Sequence, residues 1–246
     1  MKKICWQFLL GLVLVALSAL FYEVHYFLFH DAHHIWVYLV GDIAFVPIEV
    51  LMVTIILHEV LNHREKRMKL KKMNMVIGSF FSEAGNPLLK TMHQLAKTSA
   101  AWQKEVLLGV DCEETIFAEL EARCAELKPE ITATRSQLED LRQFALAKRE
   151  FILGLLINQN LLEHDRFTDL LWAVSHLLEE LSARENLQLI SDKDLQHLHF
   201  DIQRAYTRLA CEWIAYMHHL KTDYPYLFSF AVRTNPFDSR ARAEFG

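Results

Sequence analysis

The chain is short of the residues that interrupt helices: its 246 residues include seven glycines and five prolines. Runs of β-branched side chains are also few, and the two shortages together predict an almost purely helical fold. Enzyme signatures are missing as well. The sequence has no glycine-rich phosphate loop, and no serine or cysteine stands in a nucleophile context, so catalysis is not expected. Nor is there an excess of positive charge. A net charge of −5 argues against nucleic-acid binding, which needs a basic surface to neutralise phosphates. Only four cysteines occur, Cys5, Cys112, Cys124 and Cys211, without C-x-x-C spacing or the density of a disulfide framework. They are expected to be reduced thiols.

What the chain does have is apolar surplus. Hydrophobic residues make up 52% of it, and the surplus is concentrated in the first 61 residues. Residues 1–22 begin with Lys2 and Lys3 and continue as an uncharged apolar run from Cys5 to Tyr22. That run is longer than a signal-peptide core, and Ala16, Ser18 and Ala19 make a poor cleavage site, so an uncleaved transmembrane helix is expected. A second apolar run, Ile35–Leu57, would rise roughly 35 Å as a helix, against a bilayer core of about 30 Å. The loop 23–34 between them has no Lys or Arg. Lys2 and Lys3 precede the pair, and Arg64, Lys66, Arg67, Lys69, Lys71 and Lys72 follow it. The positive-inside rule then places both termini in the cytoplasm, in a multi-pass protein of the cell (inner) membrane with the lipid bilayer as a partner. Trp6, Tyr22, Tyr26, Trp36 and Tyr38 are candidate interfacial anchors. The basic cluster is a candidate site for anionic lipid headgroups, worth about 1 kcal/mol per cation near the surface.

Three acids and a proline inside or beside the second run are its costly feature. Asp42 and Glu49 lie two turns apart on nearly one helix face; His63 extends that line and Glu59 flanks it. A carboxylate at mid-membrane costs about 2.5–3.5 kcal/mol unless protonated, paired or wetted. Pro47 exposes a carbonyl one turn away. Two helices per chain cannot enclose a polar path, so the stripe points to a homo-oligomer. It is then either a cation or proton pathway or a set of dry hydrogen bonds between helices. In the outer loop, His25, His30, Asp31, His33 and His34 form a second candidate cluster, suited to a divalent metal; no other cofactor is expected.

The domain plan that follows has four parts. A two-helix transmembrane region covers 1–63, a basic juxtamembrane helix extension 64–86, a cytoplasmic helical bundle 87–222, and an aromatic segment with a mobile tail 223–246. Gly85-Asn86-Pro87 is read as a break, with Asn86 capping a helix to about Leu108. Asp111 and Glu114 are read as the start signal of a long seam from Ile116 to Ala145, kinked at Pro129. A boundary is expected between Asn158 and Asp165. Leu170, Leu171, Val174, Leu177, Leu178 and Leu181 then mark one inward face, and Leu195, Leu198, Ile202, Leu209, Trp213 and Tyr216 or Met217 another, as an antiparallel hairpin capped at Ser191. Within it Asp194 and His197 are the only pair with the spacing of a bundle metal site, and their partners are missing; His164, His176 and His199, with Glu163, Asp165 and Glu179, are a weaker set.

Taken together, these features describe an all-α membrane protein with two transmembrane helices, the second continuing into a cytoplasmic helical bundle. Its expected role is an oligomeric membrane-anchored scaffold or signalling component that meets a cytoplasmic protein. The alternative is a small oligomeric ion channel or transport subunit lined by Asp42 and Glu49.

Overall fold

A computed structural model describes residues 2–158, 161 and 164–244, with the side chains of residues 2–5, 7, 67 and 69 left out of the description. The described residues are mostly helical and divide into two compact units, Met1–Lys66 and Arg67–Gly246.

The first unit holds α1 (Lys2–Phe29) and the start of α2 (Ala32–Phe80). The expected outer loop 23–34 shrinks to His30 and Asp31. Residue 30 takes a left-handed backbone (φ 53°), uncommon for a non-glycine, which lets the chain reverse in so few residues. Asp31 Oδ1 then accepts hydrogen bonds from the backbone N–H groups of His33 (3.0 Å) and His34 (3.2 Å), capping α2. Both helices are long and apolar enough to cross a membrane, and none of their most apolar stretch is buried within the structure.

The second unit has its own core. The helix does not break at Gly85-Asn86-Pro87, as the sequence suggested. It passes through one wide π turn, Phe81–Gly85, and continues as α3 (Asn86–Leu95), with the Asn86 N–H bonded to the Phe81 carbonyl five residues back. Pro87 has no N–H to give and would crowd the preceding turn, so a widened turn there relieves both. Gly85 is needed for a different reason. A Cβ at that position would sit 2.7 Å from the Phe81 ring and 2.8 Å from the Phe80 ring, both fully buried.

The single helix expected to Leu108 is instead α3, a two-residue strand β1 (Ala96–Lys97) and α4 (Ala100–Glu105), which Ser99 caps through the Trp102 N–H. The seam through Pro129 is likewise divided into α5 (Thr115–Ala125), β2 (Glu130–Ile131) and α6 (Arg135–Leu156). β1 and β2 pair antiparallel, Ala96 opposite Ile131. The proline therefore ends a helix and starts a strand rather than kinking a continuous rod. Thr134 and Gln137 form a full capping box for α6, while the expected Asp111/Glu114 start signal makes no side-chain cap at α5.

The hairpin is as expected. α7 (Asp165–Ser182) and α8 (Asp192–Asp223) pack along each other, with Ser191 Oγ accepting from the Asp194 N–H. All six apolar residues expected on α7, and Leu198, Ile202, Leu209, Trp213 and Met217 on α8, are buried, while Leu195 and Tyr216 are half-buried. α8 is the central element. It also packs against α3, α5, β2 and α9 (Pro225–Arg233), and α6 covers the far side of α7. The boundaries expected at 86 and 222 disappear in this core. Met73, Ile77 and Phe80 are buried from one side, Phe228 and Phe237 from the other. Of the boundary expected in 158–165, residues 159, 160, 162 and 163 lie outside the described residues, Glu163 among them.

The thiols differ most from expectation. Cys124 of α5 and Cys211 of α8 form a disulfide across 87 residues of sequence, with Cα atoms 5.5 Å apart. Cys124 is fully buried and Cys112 is a free, half-buried thiol. Two residues far apart in sequence are brought together by the packing of α5 on α8, which no local spacing announces.

Candidate functional site

In the first unit the predicted stripe is open. Asp42, Pro47, Glu49, Glu59 and His63 are all exposed on α2, and His63 Nε2 lies 3.9 Å from Glu59 Oε1. Pro47 stands inside the helix, so the Ile43 carbonyl has no backbone donor four residues on. Asp42 lines a cleft of about 600 Å³ between the two helices, together with Ser18, Tyr22 and His25 of α1 and Tyr38 of α2. His25 thus lines the same cleft as Asp42. Among the described residues, His25, His30, Asp31, His33 and His34 provide no three ligand atoms within metal-binding reach of one another, and Asp31 is occupied as a cap. Arg64, Lys66, Lys71 and Lys72 are exposed on α2; the side chains of Arg67 and Lys69 lie outside the described residues.

A different cluster forms in the second unit, on the facing sides of α7 and α8. His176 and Glu180 are one helical turn apart on α7; His197 and Asp201 are one turn apart on α8. Asp201 is only 2% exposed, and neither of its carboxylate oxygens accepts a hydrogen bond within the described structure. Its Oδ2 lies 3.3 Å from His197 Nε2 and 3.6 Å from His176 Nε2, and His197 Nε2 lies 3.6 Å from Glu180 Oε2. Arg184 donates to Glu180 at 2.8 Å, which holds that carboxyl below its usual range, with the two histidines adding smaller effects. Arg204 approaches Asp201 Oδ1 at 3.5 Å. The cluster is open to solvent through its histidines and closed at its base by Asp201.

Residues 2–61 match the N-terminal helical domain of MJ1433, and residues 69–233 match the model described as uncharacterized protein MJ1433, C-terminal helical domain. The chain belongs to the MJ1433 family. It is 37% identical to uncharacterized protein MJ1433 of Methanocaldococcus jannaschii over 251 residues, covering 96% of this chain and 95% of that one. No solved structure matches it. The two MJ1433 domain models meet between residues 61 and 69, and the two compact units meet at Lys66 and Arg67.

Of the residues weighed for a metal in the MJ1433 C-terminal domain, the structure keeps His197 and His176 and changes their companions. Asp194 is spent on the cap, accepting from Ser191 Oγ at 2.7 Å, which lowers its carboxyl below the usual range. His164 caps α7, accepting from the Phe167 N–H at 3.0 Å. His199 Nε2 lies 3.0 Å from the Ala133 carbonyl oxygen. Glu180 and Asp201 escape a search built on i,i+3 spacing. The signal that finds them is a pair of i,i+4 His/acid steps, His176/Glu180 and His197/Asp201, on two helices already known to pair.

A second buried acid lies further along α8. Glu212, 3% exposed, borders a groove of about 590 Å³ lined also by Arg166, Arg204 and Arg208. Burial pushes its carboxyl up to about 7, Arg166 at 3.7 Å opposes that, and Glu121 adds to it. The folded state therefore holds a proton that the unfolded chain has released between pH 4.5 and 7. Stability from this residue is complete below pH 4.5 and is lost as pH rises through 7, a decline of about 3 kcal/mol. Urea unfolding of wild type and Glu212→Gln between pH 5 and 8 is expected to show that decline in the wild type and its removal in the variant. Equal slopes in both would refute it.

Proposed function

We propose that the protein is a self-associating, membrane-anchored scaffold or signalling component. In this reading α1 and the first part of α2 cross the bilayer, and the second unit is a cytoplasmic interaction domain. One contrast carries the proposal. The most apolar stretches of α1 and α2 are wholly unburied, whereas the second unit closes a core of its own around α8. A surface of that apolar content needs lipid or copies of itself against it, since exposed apolar patches of this extent are unstable in water. The basic residues that follow α2's apolar stretch favour the cytoplasmic side for the second unit. The expected result is that the full chain stays with membranes through high-salt and alkaline washes and cross-links as an oligomer in detergent. A monomer soluble in aqueous buffer would overturn it.

A second reading is supported by the cleft beside Asp42, where Ser18, Tyr22 and His25 supply hydroxyl and imidazole groups. There the oligomer carries cations or protons past Asp42 and Glu49. Purified protein in liposomes should then pass cations, and Glu49→Gln should abolish the flux. Under the scaffold reading Glu49→Gln leaves assembly intact and wild-type liposomes show no flux across a range of ions and pH.

A further inference from the structure

We propose that His176, His197 and Asp201, joined by Glu180, bind a divalent first-row transition metal of the zinc type on the face between α7 and α8. The inference goes beyond the membrane reading and stands whether or not the first unit crosses a bilayer.

The distances fit a metal site as well as they fit an ion-pair network. Asp201 Oδ2 to His197 Nε2 at 3.3 Å, Asp201 Oδ2 to His176 Nε2 at 3.6 Å and His197 Nε2 to Glu180 Oε2 at 3.6 Å are all beyond ordinary hydrogen-bond length. The ligand atoms of His176, His197 and Asp201 all lie within 4.8 Å of one another, close to the roughly 3.3–3.5 Å between neighbouring donors in a tetrahedron of ligands about 2.0–2.1 Å from a central ion. Glu180, whose Oε2 Arg184 now holds, would turn in to supply the fourth. A carboxylate buried to 2% with no hydrogen bond to either oxygen is costly to leave unmet, and a cation between it and the two imidazoles meets it.

The donor set fixes the class of ion. Two neutral imidazole nitrogens and carboxylate oxygens suit zinc, cobalt or nickel better than calcium or magnesium, which take oxygen ligands throughout. Two carboxylates balance the 2+ charge. Both helices contribute an i,i+4 pair, so the ligands are fixed by the same packing of α7 on α8 that forms the core. Arg204, 3.5 Å from Asp201 Oδ1, is placed to steady the oxygen facing away from the ion.

The test uses the full chain in detergent, with Co²⁺ as the spectroscopic probe and Zn²⁺ as competitor. One equivalent of Co²⁺ per chain should give visible d–d absorption of four-coordinate type, displaced by Zn²⁺, and Zn²⁺ should raise Tm. His197→Ala, at an exposed position, and Asp201→Asn should each weaken binding at least about 100-fold. Combined alanine substitution of His25, His30, His33 and His34 should leave it unchanged. The proposal is overturned if no d–d band appears, if His197→Ala binds like wild type with its helical circular dichroism retained, or if the loop-histidine variant loses the band.

Discussion

Replacing Cys124 and Cys211 together by alanine is expected to lower unfolding stability by about 4–5 kcal/mol. The disulfide ties α5 to α8 across 87 residues, and closing a loop of that length restricts the unfolded chain by about that amount in the chain-entropy account. Urea unfolding of the double variant against wild type measures it, and reduction of the wild type should give the same loss. Alkylation of the unreduced, denatured protein followed by peptide mapping should label Cys112 and leave Cys124 and Cys211 unlabelled. Labelling of all three would overturn the pairing. The result bears on compartment as well. Disulfides persist mainly in oxidising compartments, with intracellular proteins of hyperthermophiles as an exception, whereas the topology proposed above puts this unit in the cytoplasm. Alkylating the thiols before cells are opened distinguishes a bond made inside the cell from one made afterwards.

The second large effect is expected at Phe237, in the same core. Phe237→Ala should cost about 3–5 kcal/mol, in the range of large-to-small changes in a closed core. Phe237 is buried among three aromatic rings, edge-on to Trp213 and His93 at 5.1 Å each and to Trp102 at 6.3 Å. The approach to it is fixed by Asn235, whose buried side chain donates to the Val106 carbonyl at 2.8 Å and accepts from the Phe237 N–H at 2.9 Å. Tryptophan fluorescence during urea unfolding reports directly on this cluster. A loss below about 1 kcal/mol would show that the segment only covers the core without completing it.

Segments with strict periodicity were legible in the sequence. α7 and α8 carry leucines at regular helical spacing and a serine cap, so their inward faces follow from one helix at a time. Several of the errors share one physical cause, which is that they depend on partners far away in sequence. Pro129 reads as a kink until β1, more than thirty residues earlier, offers the following residues a strand to pair with. Cys124 and Cys211 read as separate thiols until α5 lies on α8. His197 reads with Asp194 because both are on one helix, yet it pairs with Asp201 one turn further along that helix, and the packing of α8 on α7 sets it 3.6 Å from Glu180. The apolar runs of α1 and α2 were plain from composition, while the chemistry of the stripe on α2 depends on what surrounds it.

The wide turn at Phe81–Gly85 has a consequence for how this chain tolerates change in length. A π turn is an α-helix that has accepted one additional residue, so deleting one residue from 81–85 would let the ordinary ladder close. It would also rotate the face bearing Met73, Ile77 and Phe80 by about 100° relative to the one bearing Leu88, Leu89 and Met92. Both faces now point into one core, and after the deletion only one of them could. The insertion that made the helix locally irregular is what keeps its two ends in step, so losing it would do more harm than losing a residue from the turn between Gly109 and Glu114, where no such register depends on length.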